Sequence, residues 1–68
     1  MSSPSLSAVL CNYNHAKYLR GAIEEILNQS FRPKELILID DGSTDESVQI
    51  MQEYAGKDPI IRFYRNEQ

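Results

Sequence analysis

The stretch Leu36-Ile37-Leu38-Ile39 followed by Asp40-Asp41-Gly42-Ser43 constrains the fold more than any other part of the chain. Branched apolar residues in an unbroken row, bounded by charge and a turn, suit a strand buried on both faces, as in a parallel sheet covered by helices. The acids then stand at the carboxyl end of that strand. In open α/β sheets this end carries the binding crevice, where successive crossovers diverge to opposite faces of the sheet.

The rest of the chain reads as support for that edge. Ser5 to Cys11, with Leu6, Ala8, Val9 and Leu10, predicts a first strand running into Asn12-Tyr13-Asn14. Asn14 is the expected N-cap of a helix in which Leu19, Ala22, Ile23, Ile26 and Leu27 recur at helical spacing, with Lys17, Arg20, Glu24, Glu25 and Asn28 opposite. Asn28-Gln29-Ser30 ends it, Phe31 is expected to pack back on the sheet, and Pro33 forces Arg32 into an extended connection. After the central strand, Ser43 followed by Glu46 makes a capping-box pattern for a second helix. Val48, Met51, Tyr54 and Ala55 mark its buried side, with Ile50 at the boundary, Gly56 as the expected C-cap and Asp58-Pro59 preventing continuation. Ile60 to Arg65 reads as a third strand with one face partly wet. The order β-α-β-α-β with right-handed crossovers predicts an α/β fold with a parallel three-stranded sheet in the order 3-2-1.

At 68 residues the chain is one small domain, of a size that buries only about 60% of its unfolded surface. Residues 1–4 read as a loose leader and 5–68 as the domain. Cys11 is the only cysteine, so an intrachain disulfide is excluded; it reads as a small apolar strand residue. A net charge of −3 with pI near 4.9 argues against a nucleic-acid partner, which needs a clustered basic footprint. No apolar run approaches the roughly 20 residues of a membrane helix, and Met1 to Leu6 is no signal core, so a cytoplasmic protein is expected, or a membrane-peripheral one in a longer parent. The sequence closes on Asn66-Glu67-Gln68 directly after a strand. That pattern reads as half of a doubly wound domain, truncated after the third strand, with Ala8 to Leu10 left as an apolar edge through which self-association is expected.

Two loops meet at the carboxyl ends of adjacent strands, Cys11-Asn12-Tyr13-Asn14 and Asp40-Asp41-Gly42-Ser43. They offer an aromatic face beside carboxylate acceptors. A uracil ring stacks well on a residue such as Tyr13 while its imide N–H donates to a carboxylate such as Asp41. Equally, Asp40 and Asp41 can simply end a strand and cap a turn while Tyr13 covers the helix start, and spacing alone leaves both readings open. His15 reads as solvent-exposed, Arg62 and Arg65 as a solvated edge, and Asp45 and Glu46 as acids suited to a helix amino terminus. No Gly-x-Gly-x-x-Gly joins the first strand to its helix, which argues against a dinucleotide fold. A phospho-acceptor domain would carry its acidic pair after the first strand rather than the second.

Three segments together, Ala8 to Leu19, Ala22 to Phe31 and Glu35 to Ser47, resemble the amino-terminal nucleotide-binding half of a GT-A-fold glycosyltransferase of the large family-two group. The resemblance runs from about Ser5 to Gln68. It implies transfer of a hexosyl group from a nucleotide-sugar donor, often a uridine diphosphate sugar, to an acceptor with inversion at the anomeric carbon. By the same resemblance Tyr13 stacks on the base, Asp41 binds the uracil imide, and Asp40 supports the loop or approaches the ribose. Cys11 falls where the family carries a small residue, often threonine or serine, that touches the nucleotide.

The family's metal-binding Asp-x-Asp follows a fourth strand and its catalytic base lies further on. Asp40-Asp41 belongs to the base-binding loop instead. A divalent cation, Mg or Mn, is therefore expected only in a full-length enzyme, and these residues alone are expected to be inactive. A non-catalytic α/β module pairing through its strand edge is the competing expectation.

Overall fold

The computed structural model describes residues 6–30 and 32–66. The expected leader at Met1 to Pro4, the packing of Phe31, and Glu67-Gln68 lie outside the described residues. In chain order the elements are β1 (Ser7–Asn12), α1 (Ala16–Leu27), β2 (Glu35–Asp40), α2 (Ser47–Lys57) and β3 (Ile61–Arg65). The strands are parallel and lie in the order β1-β2-β3, so the apolar run Leu36 to Ile39 is the middle strand, as expected from its composition.

Alternation along β2 decides what is inside. Leu36 and Leu38 are fully buried, and so is Asp40 two places further on, whereas Glu35, Ile37 and Ile39 on the other face are half-buried. Successive strand residues point to opposite faces, so one face meets both helices. There Leu36, Leu38 and Ile61 of the sheet pack with Leu19 and Ile23 of α1 and Ile50, Met51 and Tyr54 of α2. Burying an aliphatic side chain of this size contributes about 1.5–3 kcal/mol. The expectation of a central strand covered on both faces is corrected: both crossovers lie on one side, because two right-handed crossovers stepping in the same direction place their helices together. Among the described residues, Val9, Ile37, Ile39 and Tyr64 form the uncovered side, with Val9 and Tyr64 exposed.

Several boundaries differ from expectation for local reasons. Helix α1 begins at Ala16 after His15, and Asn14 is not its cap; Asn14 sits at φ 53°, a left-handed conformation that asparagine tolerates. Helix α2 begins at Ser47 after Glu46 without a side-chain cap from Ser43, so the capping box does not form. Ile50 belongs to the buried side of α2 rather than its boundary. Gly56 lies within α2, which ends at Lys57; Asp58 after it is extended, as a residue before Pro59 tends to be. The two helices are tied by Tyr54 Oη donating to Glu24 Oε2 at 2.7 Å and by the Arg20–Glu53 ion pair at 2.8 Å.

Candidate functional site at the carboxyl ends of β1 and β2

Parallel register sets the last residues of β1 and β2 side by side: Asn12 is the ladder partner of Asp40. Both fall on the helix-facing side, where β1 and β2 run out of apolar residues and replace them with polar ones that are buried. A buried carboxylate must be fully hydrogen-bonded. Asp40 Oδ1 accepts from the Ser43 hydroxyl at 2.5 Å and from Asn12 Nδ2 at 3.4 Å, while Oδ2 accepts from the Ser43 and Gly42 N–H groups at 2.8 and 3.1 Å. Gly42 adopts φ +92°, which turns the chain back over the carboxylate and which a residue with a Cβ rarely adopts. Burial pushes the Asp40 carboxyl up, but the Ser43 hydroxyl and N–H, the Asn12 amide and the Gly42 N–H together outweigh it and hold the group below the usual carboxylate range.

The same residues bind the two loops to each other. Ser43 Oγ accepts from the Asn14 N–H at 2.8 Å and from Asn12 Nδ2 at 3.4 Å, and Asn14 Oδ1 accepts from the Thr44 N–H at 2.7 Å. This is where the two expected caps went: Asn14 and Ser43 serve each other's loop rather than their own helices. The helix starts are served by Asp45 instead. Its Oδ2 accepts from the Ala16 N–H of α1 at 3.0 Å and its Oδ1 from the Ser47 N–H of α2 at 2.9 Å. One exposed acid therefore caps both helices, a use that the sequence spacing does not reveal because one partner is distant in the chain.

Above this buried layer stand the residues singled out from the sequence. Tyr13 is 55% exposed, at the tip of the first loop. Asp41 is half-buried, and its N–H donates to the Asn12 carbonyl at 3.0 Å, extending the β1–β2 ladder by one bond and bringing the two loops to one rim. Asn66 Nδ2 donates to Asp41 Oδ1 at 3.0 Å. Cys11 is exposed and pairs in register with Ile39, on the uncovered side of the sheet next to the rim. His15 is exposed at the start of α1, its ring 6.5 Å from that of Tyr18. Arg62 pairs with Glu35 at 2.8 Å, away from the rim, and Arg65 is exposed at the end of β3. A shallow, mainly apolar groove between Leu10 and Cys11 of β1 and His15, Tyr18 and Ala22 of α1 adjoins the first loop on the free flank of β1.

Adjacent in sequence, the two acids are thus placed in different environments. Asp40 has both oxygens filled from within the protein, whereas Asp41 has one oxygen engaged by Asn66 at the surface. They do not converge as a cation site, and no three His, Cys, Asp or Glu side chains do so among the described residues. Asn12, Asn14, Ser43, Asp45 and Asn66 were not among the site residues drawn from the sequence. The available signal was the clustering of short polar side chains just past two adjacent strand ends.

A parallel α/β unit with its polar loops gathered at the carboxyl ends of β1 and β2 is half of a Rossmann-like domain. The chain belongs to glycosyl transferase family 2, which matches residues 7–68. Among similar proteins, a cholesterol galactosyltransferase of Borreliella burgdorferi is 41% identical over 59 residues, covering 87% of this chain and 16% of that protein. An uncharacterized glycosyltransferase of Haemophilus influenzae is 42% identical over 64 residues, covering 94% of this chain and 26% of that protein. Chondroitin synthase of Escherichia coli is 38% identical over 60 residues, 88% of this chain and 9% of that protein. The chain thus spans about a quarter or less of the length of these curated relatives. No helix among the described residues is long and apolar enough to cross a membrane.

Proposed function

We propose that the rim shared by Tyr13 and Asp41 holds the base of a nucleotide-sugar donor, a uridine diphosphate sugar, for a glycosyltransferase that passes a hexosyl group to an acceptor with inversion. Tyr13 stacks on the uracil, Asp41 accepts its imide N–H, and Cys11 lines the approach. Asp40 holds the loops and does not reach the ligand. The observation that carries this reading is the ladder bond from the Asp41 N–H to the Asn12 carbonyl, which brings an exposed aromatic ring and a half-buried carboxylate to one edge.

Both carboxylates of the pair are committed, Asp40 to the loop and Asp41 to Asn66 and the base, which leaves neither as the general base for an acceptor hydroxyl. By the family resemblance the general base and the divalent cation belong to the longer enzyme, and the 68-residue chain binds donor without turning it over. Stacking on an aromatic ring is worth about 1–3 kcal/mol per base, so Tyr13→Ala weakens binding of uridine diphosphate about 5- to 150-fold. Calorimetry or amide shifts would follow the titration. Binding that is unchanged in both Tyr13→Ala and Asp41→Ala removes these residues from the site.

The order β1-β2-β3, which leaves β1 as an edge strand, supports a second reading, self-association through the Ala8 to Leu10 edge. Leu6 and Val9 at this edge are each more than half exposed. An open strand edge with apolar neighbours templates pairing with another chain. Light scattering is expected to rise with concentration and to fall in Val9→Lys; a monomer at every concentration refutes it.

A further inference from the structure

The first residue after β3 reaches the rim, and neither the strand pattern nor the loops explain why its side chain should. The Asn66 N–H donates to the Asp40 carbonyl at 2.7 Å, anchoring the end of β3 against the turn. From that anchor Asn66 Nδ2 reaches Asp41 Oδ1 at 3.0 Å. The approach is close enough that a Cβ on Gly42 would lie 3.9 Å from the Asn66 carbonyl oxygen. We propose that Asn66 is a positioning residue for Asp41: by occupying Oδ1 it fixes the carboxylate plane and presents Oδ2 to the base. This rests on the nucleotide reading above.

The choice of an amide matters. A lysine or arginine at this position would also donate to Oδ1, but as an ion pair it would offset the charge that makes the second oxygen a strong acceptor. A neutral donor leaves that charge in place. The side-chain bond is exposed and folding gains little from it, while the main-chain bond to Asp40 survives any substitution of the side chain other than proline. Binding and folding effects are therefore separable at this residue.

The 68-residue chain would be titrated with uridine diphosphate by amide chemical shifts, extended to millimolar ligand. Asn66→Ala is expected to weaken binding about 3- to 10-fold, the worth of one hydrogen bond. Asn66→Asp keeps the size and shape but sets a carboxylate against Asp41, and is expected to bind more weakly than Asn66→Ala. A merely space-filling role predicts the reverse order, with Asn66→Asp like the wild type. In the Asp41→Ala background, Asn66→Ala is expected to have no further effect. Wild-type affinity in Asn66→Asp, or an undiminished effect of Asn66→Ala without Asp41, overturns the proposal. If the wild type shows no shift at Tyr13 or Asp41, the nucleotide reading fails first. The Asn66 side-chain amide resonances are then compared between wild type and Asp41→Ala: unmoved resonances overturn the positioning contact itself, and displaced ones uphold it.

Discussion

Replacing Asp40 by asparagine removes a charge and one acceptor while keeping the shape, in a position with no solvent to compensate. The fourfold donor set dictates the outcome. If the new amide nitrogen takes the place of Oδ2, it faces the N–H groups of Gly42 and Ser43; if it takes the place of Oδ1, it faces Asn12 Nδ2 and the Ser43 hydroxyl, whose oxygen already accepts from Asn12 and Asn14, so one of these donors has to turn away. The second arrangement is the milder one. It still exchanges charge-assisted bonds, worth about 1.5–3 kcal/mol each, for neutral ones of about 0.5–1.5, and leaves one donor unmatched; the neutral amide is spared the desolvation of the buried charge, which offsets part of this and leaves a net cost of about 2–4 kcal/mol. Domains of this length are stable by about 3–10 kcal/mol. With a urea m-value of about 1 kcal/mol/M, the midpoint of unfolding is expected to fall by about 2 M or more, or the variant to be unfolded already in buffer. The deficit is also pH-dependent. Because the folded-state carboxyl lies below its ordinary value, its stabilisation is fully present above the unfolded value near ~3.9 and is lost as pH falls through the folded one. The gap between wild type and Asp40→Asn should therefore close in acid. A gap below about 0.5 kcal/mol at neutral pH, within the range of ordinary surface changes, would refute the reasoning, as would one that persists unchanged at pH 2.

Asp41→Asn, one residue away, is expected to leave the urea midpoint close to wild type while weakening uridine diphosphate binding, so the two neighbouring acids separate in opposite assays. Tyr54→Phe loses the 2.7 Å bond to Glu24 that joins α1 and α2, and thermal melting should report a loss of about 1 kcal/mol. The Glu24 carboxylate and burial raise the Tyr54 pKa, so its contribution is present below the unfolded value near ~10 and is lost as pH rises through the folded one; the deficit of Tyr54→Phe should shrink in strong alkali. Asp45→Ala removes the acceptor shared by the Ala16 and Ser47 N–H groups, so hydrogen exchange at both amides should quicken together. Met51→Ala empties a fully buried site and is expected to cost about 2–5 kcal/mol, read as loss of the cooperative melt.

The course of the fold was legible where local chemistry is sufficient. Leu36 to Ile39, branched and short and stopped by acids and a turn, suits a strand, and the spacing of Leu19, Ile23, Met51 and Tyr54 selects the helix faces that the core requires. What the sequence concealed were uses that depend on a distant partner. Asn14 and Ser43 have the chemistry of helix caps, and each is a few residues from a helix start, yet parallel register brings them within 2.8 Å of each other's loop and the inter-loop bonds win. The vacated caps pass to Asp45, whose bond to Ala16 spans 29 residues of sequence. Apolar composition likewise could not distinguish a strand covered on both faces from one covered by helices on one, since Ile37 and Ile39 read the same in either setting.

One consequence of register ties the fold to the site. Side chains alternate along a strand, so Asp40 continues the buried positions of Leu36 and Leu38, while Asp41 falls on the opposite parity at the rim. The division of labour between the acids is therefore set by the strand rather than by the acids themselves. A slip of one residue in the β1–β2 pairing would bring Asp41 to the buried position, without the Ser43 and Asn12 donors in place, and lift Asp40 to the surface. Such a register is opposed twice: it exposes Leu36 and Leu38, and it strands a buried charge. The polar network under the rim thus selects the same alignment as the apolar core, and the alignment that satisfies both leaves one carboxylate oxygen facing outward.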